Sequence, residues 1–530
     1  MKSFKLTITS AAVALSLALS NVVSAEEITH EADVVIVGGG GAGMVAAAFA
    51  AETGLKPILV EKLPGVGGNL MMFEITFGQQ TEFTDADQVY YPADMLVADF
   101  LRYSHYMVNP VMVKRFIERS GQQIKWLTNR GVEIVGNVPT ELNGRRVGHV
   151  YKNVFPNRNF IEAMRKIILA NGGKIIVETR ADKLLQDKNG RVIGIHAKDY
   201  KNDDIIVKGK GGVILCAGGY GANKKLLKLL NPDMPADTPI TGIKTSTGDG
   251  IQMGLDIGAK VVGGDAFISE GALPWKVDYR EVISQKTWIA ANVVNKGPGL
   301  QLNKNGKRFF NEGLGGDYSV SGNAMRINGN YMFSLLDDDE KRDLESGSGA
   351  VFGYFAHALP GDKMTGLKEL FNGKGRQAEI AFVGNTIEEV AKKAGLDPKV
   401  VAETVKRYNQ LCAEGVDRDF GKDARYMRPI KKAPFYIVKG QHTICDTTGG
   451  LQVNEDAQVL NTNGDPIPGL YASGAMAGGK YGPSYVYNIT TGYASATAMM
   501  GGTFAVQDIA RKTFGREIVY SPDLPKKSKK

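Results

Sequence analysis

The sequence predicts an α/β fold in which a doubly wound, largely parallel sheet is interrupted by a long insertion. Three observations predict it. At residues 34–61 an apolar strand runs into a glycine loop, a small-faced helix and a second apolar strand that ends in an acid. Strand, glycine and helix signals return from Thr447 onward. Between about 274 and 446 this alternation gives way to polar and glycine-rich segments, the texture of an inserted region.

In chain order, residues 1–25 read as a processing segment. Lys2 and Lys5 precede an apolar run that closes on Val23-Ser24-Ala25, the layout of a secretory signal peptide cut after Ala25. No twin arginine precedes the run and no cysteine follows it. The expectation is an exported, periplasmic protein that crosses the membrane unfolded, takes up its cofactor afterwards and is not inserted in a membrane once the signal is removed.

Val34-Val35-Ile36-Val37 is too short for a helix and is bounded by glycines, which marks a buried parallel strand. Gly38, Gly40 and Gly43 have the GxGxxG spacing. The first permits a tight turn, the second lets a pyrophosphate approach the backbone, and the third lets the following helix pack on the strand. The helix runs through Ala46–Ala51 to Gly54, and a strand at 57–60 delivers Glu61, whose carboxylate can accept hydrogen bonds from a ribose diol. Taken alone, this unit suits NAD or FAD.

Gly65-Val66-Gly67-Gly68-Asn69 is a second loop where backbone can approach a ligand. Helices are expected at 94–108 and 110–130, the latter with Asn109 as N-cap, Pro110 at its first position and Gly131 past its end. A helix at 160–170 precedes strands at 174–179, 191–198 and 204–209, with a hairpin turn at Asn189-Gly190. Val213–Cys216 is an apolar strand entering Ala217-Gly218-Gly219, and its cysteine reads as inert core. In the insertion, Asp337-Asp338-Asp339-Glu340 reads as a solvated helix start, Thr386 with Glu389 as a capping box, and Asp397-Pro398 as a further helix opening.

Composition narrows the function. Three cysteines make no disulfide framework, and without CxxCH or CxxC there is no attached c-type haem, zinc knuckle or iron–sulfur motif. The net charge of +8 comes from the ends: without Lys2, Lys5 and the four lysines of the tail, 58 basic residues face 56 acidic ones. That balance argues against nucleic acid as a partner.

Together these motifs resemble the flavoprotein subunits of the fumarate reductase and succinate dehydrogenase family. The resemblance is carried by GxGxxG with Glu61 and Lys62, Gly67-Gly68-Asn69, Leu215–Tyr220, Thr247-Gly248-Asp249-Gly250, Gly306–Glu312 and Ile467–Gly474. It is nearest to the soluble exported branch, which includes flavocytochrome fumarate reductases and urocanate reductase. It implies a Rossmann-like FAD-binding domain with an inserted α+β capping domain. On this chain that gives 26–273 and 447–514 to FAD binding, 274–446 to the cap, and 515–530 to a basic C-terminal tail. It also implies noncovalent FAD held by Gly38, Gly40, Gly43, Glu61, Lys62, Gly67, Gly68, Asn69, Ala217, Gly218, Asp249, Ser473, Gly474, Asn488 and Ile489, and no metal site.

The substrate site departs from the family. Gly316 of Gly313-Leu314-Gly315-Gly316-Asp317 stands where the family has its proton-donating arginine, and Asn295 and Asn292 fall near the positions that feed it protons. Cys445-Asp446-Thr447-Thr448-Gly449-Gly450, with His442 just before, replaces a paired-histidine string. Ser484-Tyr485-Val486-Tyr487-Asn488 replaces a string whose arginine grips a carboxylate, with Tyr485 nearest to it, and Ala475 replaces a glutamate. Losing two cations and a histidine removes charge-assisted hydrogen bonds of about 1.5–3 kcal/mol each, so fumarate is not the expected substrate. Tyr481, Tyr485, Tyr487 and Tyr493 beside Lys480 remain, and Lys480-Tyr481-Gly482-Pro483-Ser484 resembles a segment of ketosteroid dehydrogenases. The candidate catalytic residues are Tyr485, Asp446, Tyr481 and Asp317, since tyrosines and carboxyls can donate a proton or clamp a carbonyl.

The expected function is an exported FAD oxidoreductase that reduces an activated carbon–carbon double bond of a small molecule. A separate periplasmic multihaem cytochrome c is the electron donor that the resemblance implies. The alternatives are the same flavin chemistry run as a ring-ketone dehydrogenase, and a flavin-binding protein without turnover.

Overall fold

The computed structural model describes residues 28–138, 147–152, 156–232, 234–235, 238–264, 267–268, 272–274, 284–351, 358–375, 377–487 and 489–524. The signal segment and Asn488 therefore lie outside the described residues, as does the end of the basic tail.

The central sheet has six strands: β1 (Val34–Val37), β2 (Pro57–Val60), β3 (Lys174–Ile176), β4 (Val213–Leu215), β5 (Gln458–Leu460) and β6 (Pro466–Ala472). Their order is β5-β6-β4-β1-β2-β3, parallel throughout except at β5, which pairs antiparallel with β6. Alternate residues feed two cores. Val35, Val37, Ile58, Val60 and Leu215 pack on one side, and Val34, Ile36, Leu59 and Ile214 on the other. This is why the strands are unbroken apolar runs rather than alternating ones. Between β1 and β2 lies α1 (Gly41–Glu52); after β6 comes α2 (Tyr493–Phe514). The alanine and glycine faces of these helices let them approach closely: a Cβ added to Gly502 would stand 2.8 Å from Cβ of Ala46.

A four-stranded sheet beside this one takes Ile28–Ala32, Asp204–Gly209, Val192–Asp199 and Thr179–Gln186 in that order. The strand expected at 174–179 is thus two strands in two sheets, broken where Glu178 has φ +52°. The hairpin at Asn189-Gly190 joins Thr179–Gln186 to Val192–Asp199.

The middle of the chain carries its own antiparallel sheet of five strands. In it Phe435–His442 pairs with Ala272–Pro274, Ala381–Gly384 and Tyr331–Leu336, and the last of these with Leu300–Leu302. Its two faces bury separate cores, with Leu336 and Val438 in one, Leu335 and Ile437 in the other. The fold is therefore mixed α/β, a parallel flavoprotein-type sheet with a helix-covered antiparallel sheet inserted in its chain.

Several helix signals are realised as written. Asn109 Oδ1 accepts from the Met112 N–H at the head of Pro110–Asn129, and Asp397 caps Pro398–Glu414. The helix expected at 94–108 is shorter, Ala93–Tyr103, because His105 and Tyr106 have φ of +54° and +58°. Asp337 caps Asp338–Ser346, and this start is solvated only in part: Asp339 is exposed, whereas Asp337 and Asp338 are buried and Asp337 Oδ2 accepts the N–H groups of Lys431 and Lys432. The capping box at Thr386 is displaced by one residue, since the Glu389 carboxylate takes the Asn385 N–H.

Candidate active site

A cleft opens at the carboxyl ends of the parallel strands, where Val37, Val60 and Cys216 line its floor. Open α/β sheets bind ligands at this edge.

The glycine loop forms one wall. Gly38 has φ +104°, and a Cβ there would meet the Cys216 carbonyl oxygen at 2.4 Å; a Cβ on Gly43 would stand 1.9 Å from the Gly38 carbonyl oxygen. Beside Gly40, by contrast, the space is open. Helix α1 begins there without a side-chain cap or an acid in its first turn, and Gly40, Gly41 and Ala42 face the cleft. Its first N–H groups and the positive end of its dipole are thus presented to a ligand, which fits a pyrophosphate. The second loop closes against the first, with the Gly67 N–H donating to the Gly39 carbonyl at 2.7 Å.

At the end of β2, Glu61 is buried and its carboxylate accepts the N–H groups of Gly39 at 2.6 Å and Leu63 at 2.9 Å. Lys62 reaches across the cleft: its Nζ donates to the Thr245 carbonyl at 2.6 Å and to Thr247 Oγ1 and Asp249 Oδ2, each at 2.9 Å. Arg180 meets the same carboxylate with two bonds, at 2.9 and 3.3 Å. Burial alone would raise the Asp249 pKa, but the hydrogen bonds from Arg180 and Lys62 outweigh it and hold the group below the usual carboxylate range.

The other end of the cleft gathers Asn69, Ile268, Asp446, Ala475 and Tyr481. Asn69 bridges the walls, donating to Asp446 Oδ2 at 3.0 Å and accepting the Ile243 N–H at 3.0 Å. Asp446 is 6% exposed. Burial pushes its pKa up to about 6, against the opposing Thr447 N–H, the Asn69 amide and the charge of Lys480. Lys480 is also buried, donates to the Gly474 carbonyl at 2.7 Å, and is pulled down to about 7 by burial despite Asp446. Asp446 thus titrates near neutrality at one end of the cleft, while Lys480 stands behind the lining rather than in it; a carboxyl so placed can exchange a proton. Tyr481 packs edge-on to Tyr485 and Tyr493, with ring centroids at 5.4 and 5.9 Å.

Of the residues singled out from the sequence, Gly38, Gly40, Glu61, Lys62, Gly68, Asn69, Ala217, Gly218, Asp249, Gly474, Asp446 and Tyr481 line the cleft. Others stand behind it. Gly43 packs α1 on β1, Gly67 joins the two loops, the Ser473 hydroxyl donates to the Ala498 carbonyl, and Ile489 packs on the main core. Tyr485 is buried, and its hydroxyl accepts the N–H of Ala494 at 3.1 Å near the start of α2. Asp317 does not line the cleft. It caps the helix Tyr318–Ile327 and accepts the Tyr103 hydroxyl at 2.9 Å. His442 is buried and pushed down to about 3 by burial and the nearby Arg326 charge, so it is neutral. The Cys216 thiol is buried and pushed up to about 12. Arg180 and its neighbour Thr179 were missed, because 174–179 reads as one strand and hides the bend that turns them into the cleft. Thr245 and Ser246 were missed too, although they immediately precede the Thr247-Gly248-Asp249 motif.

A parallel sheet with a glycine-rich loop at the head of α1 and an acid at the end of the next strand is the frame of a dinucleotide-binding fold. The chain matches the family model described as FAD binding domain over residues 33–487 and belongs to that family, in its fumarate-reductase-like branch. It is 31% identical to the vinyl phenol reductase of Lactiplantibacillus plantarum, over 90% of this chain and 96% of the relative. It is 26% identical to the NADH:acrylate oxidoreductase of Vibrio harveyi over 86% of this chain, a match that spans only 48% of that relative. The open form of a flavocytochrome c3 fumarate reductase superposes with a TM-score of 0.66 at 25% identity, covering 91% of this chain and 78% of the other. The cofactor is FAD, and the protein is an FAD-dependent oxidoreductase.

Proposed function

We propose that this protein reduces a carbon–carbon double bond activated by an aromatic ring or a carbonyl, and that fumarate is not its substrate. The observation that carries this reading is the reacting end of the cleft. It presents Asp446 and Tyr481 where a dicarboxylate would need cations. Ionised Asp446 repels a second carboxylate, whereas a neutral or monoanionic aromatic alkene meets tyrosine rings and a proton-exchanging carboxyl. The vinyl phenol and acrylate activities of the two relatives support the same class.

When bound, FAD supplies the hydride chemistry. This chain's residues do the rest. Helix α1 and the glycine loops hold the pyrophosphate, and Glu61 holds the ribose. Asn69 fixes the Asp446 carboxyl, which with Tyr481 faces the reacting alkene and exchanges its proton. Tyr485 and Asp317 act as positioning residues, the first through Ala494 and the second through Tyr103 and the helix it caps. Residues 274–446 act as a cap over the cleft. Residues 1–25 direct export to the periplasm, where a separate multihaem cytochrome c donates electrons. No helix among the described residues is long and apolar enough to cross a membrane.

The test is a steady-state assay in both directions. Oxidation of a reduced dye is followed with a vinyl phenol, an acrylate, a cinnamate-type acid and fumarate, and dye reduction with saturated ketones. Turnover with aromatic or acrylic alkenes and none with fumarate is expected. Turnover confined to the ketones would install the dehydrogenase reading suggested by Lys480–Ser484.

A further inference from the structure

We infer, on the reading that the alkene is protonated beside Asp446 and Tyr481, that Lys480 is a positioning residue for that end of the cleft. Its buried ammonium anchors the turn that carries Tyr481 and sets a positive charge behind Tyr481 and Asp446. Residues 474–482 leave the cleft and rejoin it: Gly474, Ala475 and Tyr481 line it, whereas Lys480 lines a small cavity behind, with Ser473, Thr497 and Phe504. From there its Nζ donates to the Gly474 carbonyl at 2.7 Å, six residues back, and stands 5.1 Å from the centre of the Tyr481 ring. Gly478, Gly479 and Gly482 surround the lysine in sequence, and the last two have φ of +84° and +66°. Backbone so rich in glycine does little by itself to fix Tyr481, and the lysine bond closes the turn.

An ammonium is a costly closure. Lys480 is 2% exposed, and among the described residues it has no salt bridge to offset its loss of water. A methionine would fill the same space without that cost, so what the lysine adds is charge. That charge acts on Asp446. The carboxyl accepts from the Asn69 amide at 3.0 Å and from the Thr447 N–H at 2.8 Å, both neutral donors. Among the described residues Lys480 is the one cation that shifts Asp446, and Asp446 the one acid that shifts Lys480. Glu455, the other ionisable residue of the lysine's cavity, does not. The nearby phenols of Tyr481 and Tyr485 are pushed up by burial and stay neutral. A positive charge favours the carboxylate, so Lys480 holds Asp446 below the value that burial alone would give. This keeps both protonation states within reach near neutral pH, as a group that gives and regains a proton requires.

The test follows reoxidation of the photoreduced holoenzyme by a vinyl phenol and by an acrylate, from about pH 5 to about pH 9, in wild type, K480M, K480Q and K480R. A proton donor loses rate as pH rises through its pKa, and removing the lysine charge raises that pKa. The falling limb should therefore move up by about one pH unit in K480M, and equally in K480Q, which keeps a donor for the Gly474 carbonyl. In K480R, which keeps the charge, the limb should not move up. A limb that stays in place in yellow K480M or K480Q, however slow the reaction, marks Lys480 as a structural residue and overturns the inference alone. A K480R profile displaced like that of the neutral variants overturns it too. A yellow wild-type enzyme that reduces neither alkene at any pH overturns the proposed function, and the role of Lys480 falls with it.

Discussion

Replacing Asp446 by asparagine should stabilise the apoprotein at neutral pH while removing activity, and the size of the effect follows from burial. In the folded chain its pKa stands at about 6 against an ordinary 3.8. A raised carboxyl pKa means that the unfolded chain loses its proton first as pH rises. Wild-type stability therefore falls as pH climbs from about 4 through about 6, and above that the penalty is constant at about 3 kcal/mol. The D446N side chain would carry no such penalty, but its amide would face the donating amide of Asn69, at a cost of about 1–2 kcal/mol. That cost does not depend on pH. The stability of D446N relative to wild type, from urea unfolding of both apoproteins, should thus improve by about 2 kcal/mol between pH 4.5 and pH 8. A pH-independent difference would show that the carboxyl is not held in a desolvated site, and the proton-exchange role would fall with it.

Gly43→Ala would force a Cβ to within 1.9 Å of the Gly38 carbonyl oxygen, so α1 must shift; the variant should lose about 1–3 kcal/mol of stability and purify with little flavin, read from its visible absorbance. Arg308 bonds Glu312 and Asp417 at 2.7–3.0 Å, and both acids are fully buried. R308M should therefore cost about 3–5 kcal/mol by urea unfolding. Burial alone would raise the Asp417 pKa, but Arg308 and the Lys422 N–H hold it well below the carboxylate range. Its stabilisation is thus present above about pH 4 and lost as pH falls towards its folded value, which acid unfolding of wild type against D417N will show. Y103F removes the hydrogen bond to Asp317 and should cost about 1–2 kcal/mol. A change in KM larger than the change in kcat would mark the pair as holding the insertion against the cleft.

The parallel sheet was legible because its signals are local: an apolar run, glycines at fixed offsets and an acid on the next strand are all set by short-range backbone demands. The insertion was legible only as a loss of that rhythm, since its sheet pairs segments as distant as Ala272–Pro274 and Phe435–His442. Asp446 could be singled out by its place in a motif, but the bridge from Asn69, 377 residues away, is visible only in three dimensions. Asp317 illustrates the opposite outcome: an acid beside a missing arginine suggests chemistry, while its neighbours Ser319 and Val320 supply the N–H groups that make it a cap. Buried lysines such as Lys480 have no sequence signature at all, because only the surroundings distinguish them from a solvated face.

The most direct measurement is anaerobic reoxidation of the photoreduced flavin in a stopped-flow instrument. The account predicts that a vinyl phenol or an acrylate restores the oxidised flavin spectrum rapidly, that fumarate leaves the flavin reduced, and that D446N slows the productive reaction by at least about a hundredfold, the scale of one general acid. Rapid reoxidation by fumarate, or an alkene reaction unaffected by D446N, would contradict it.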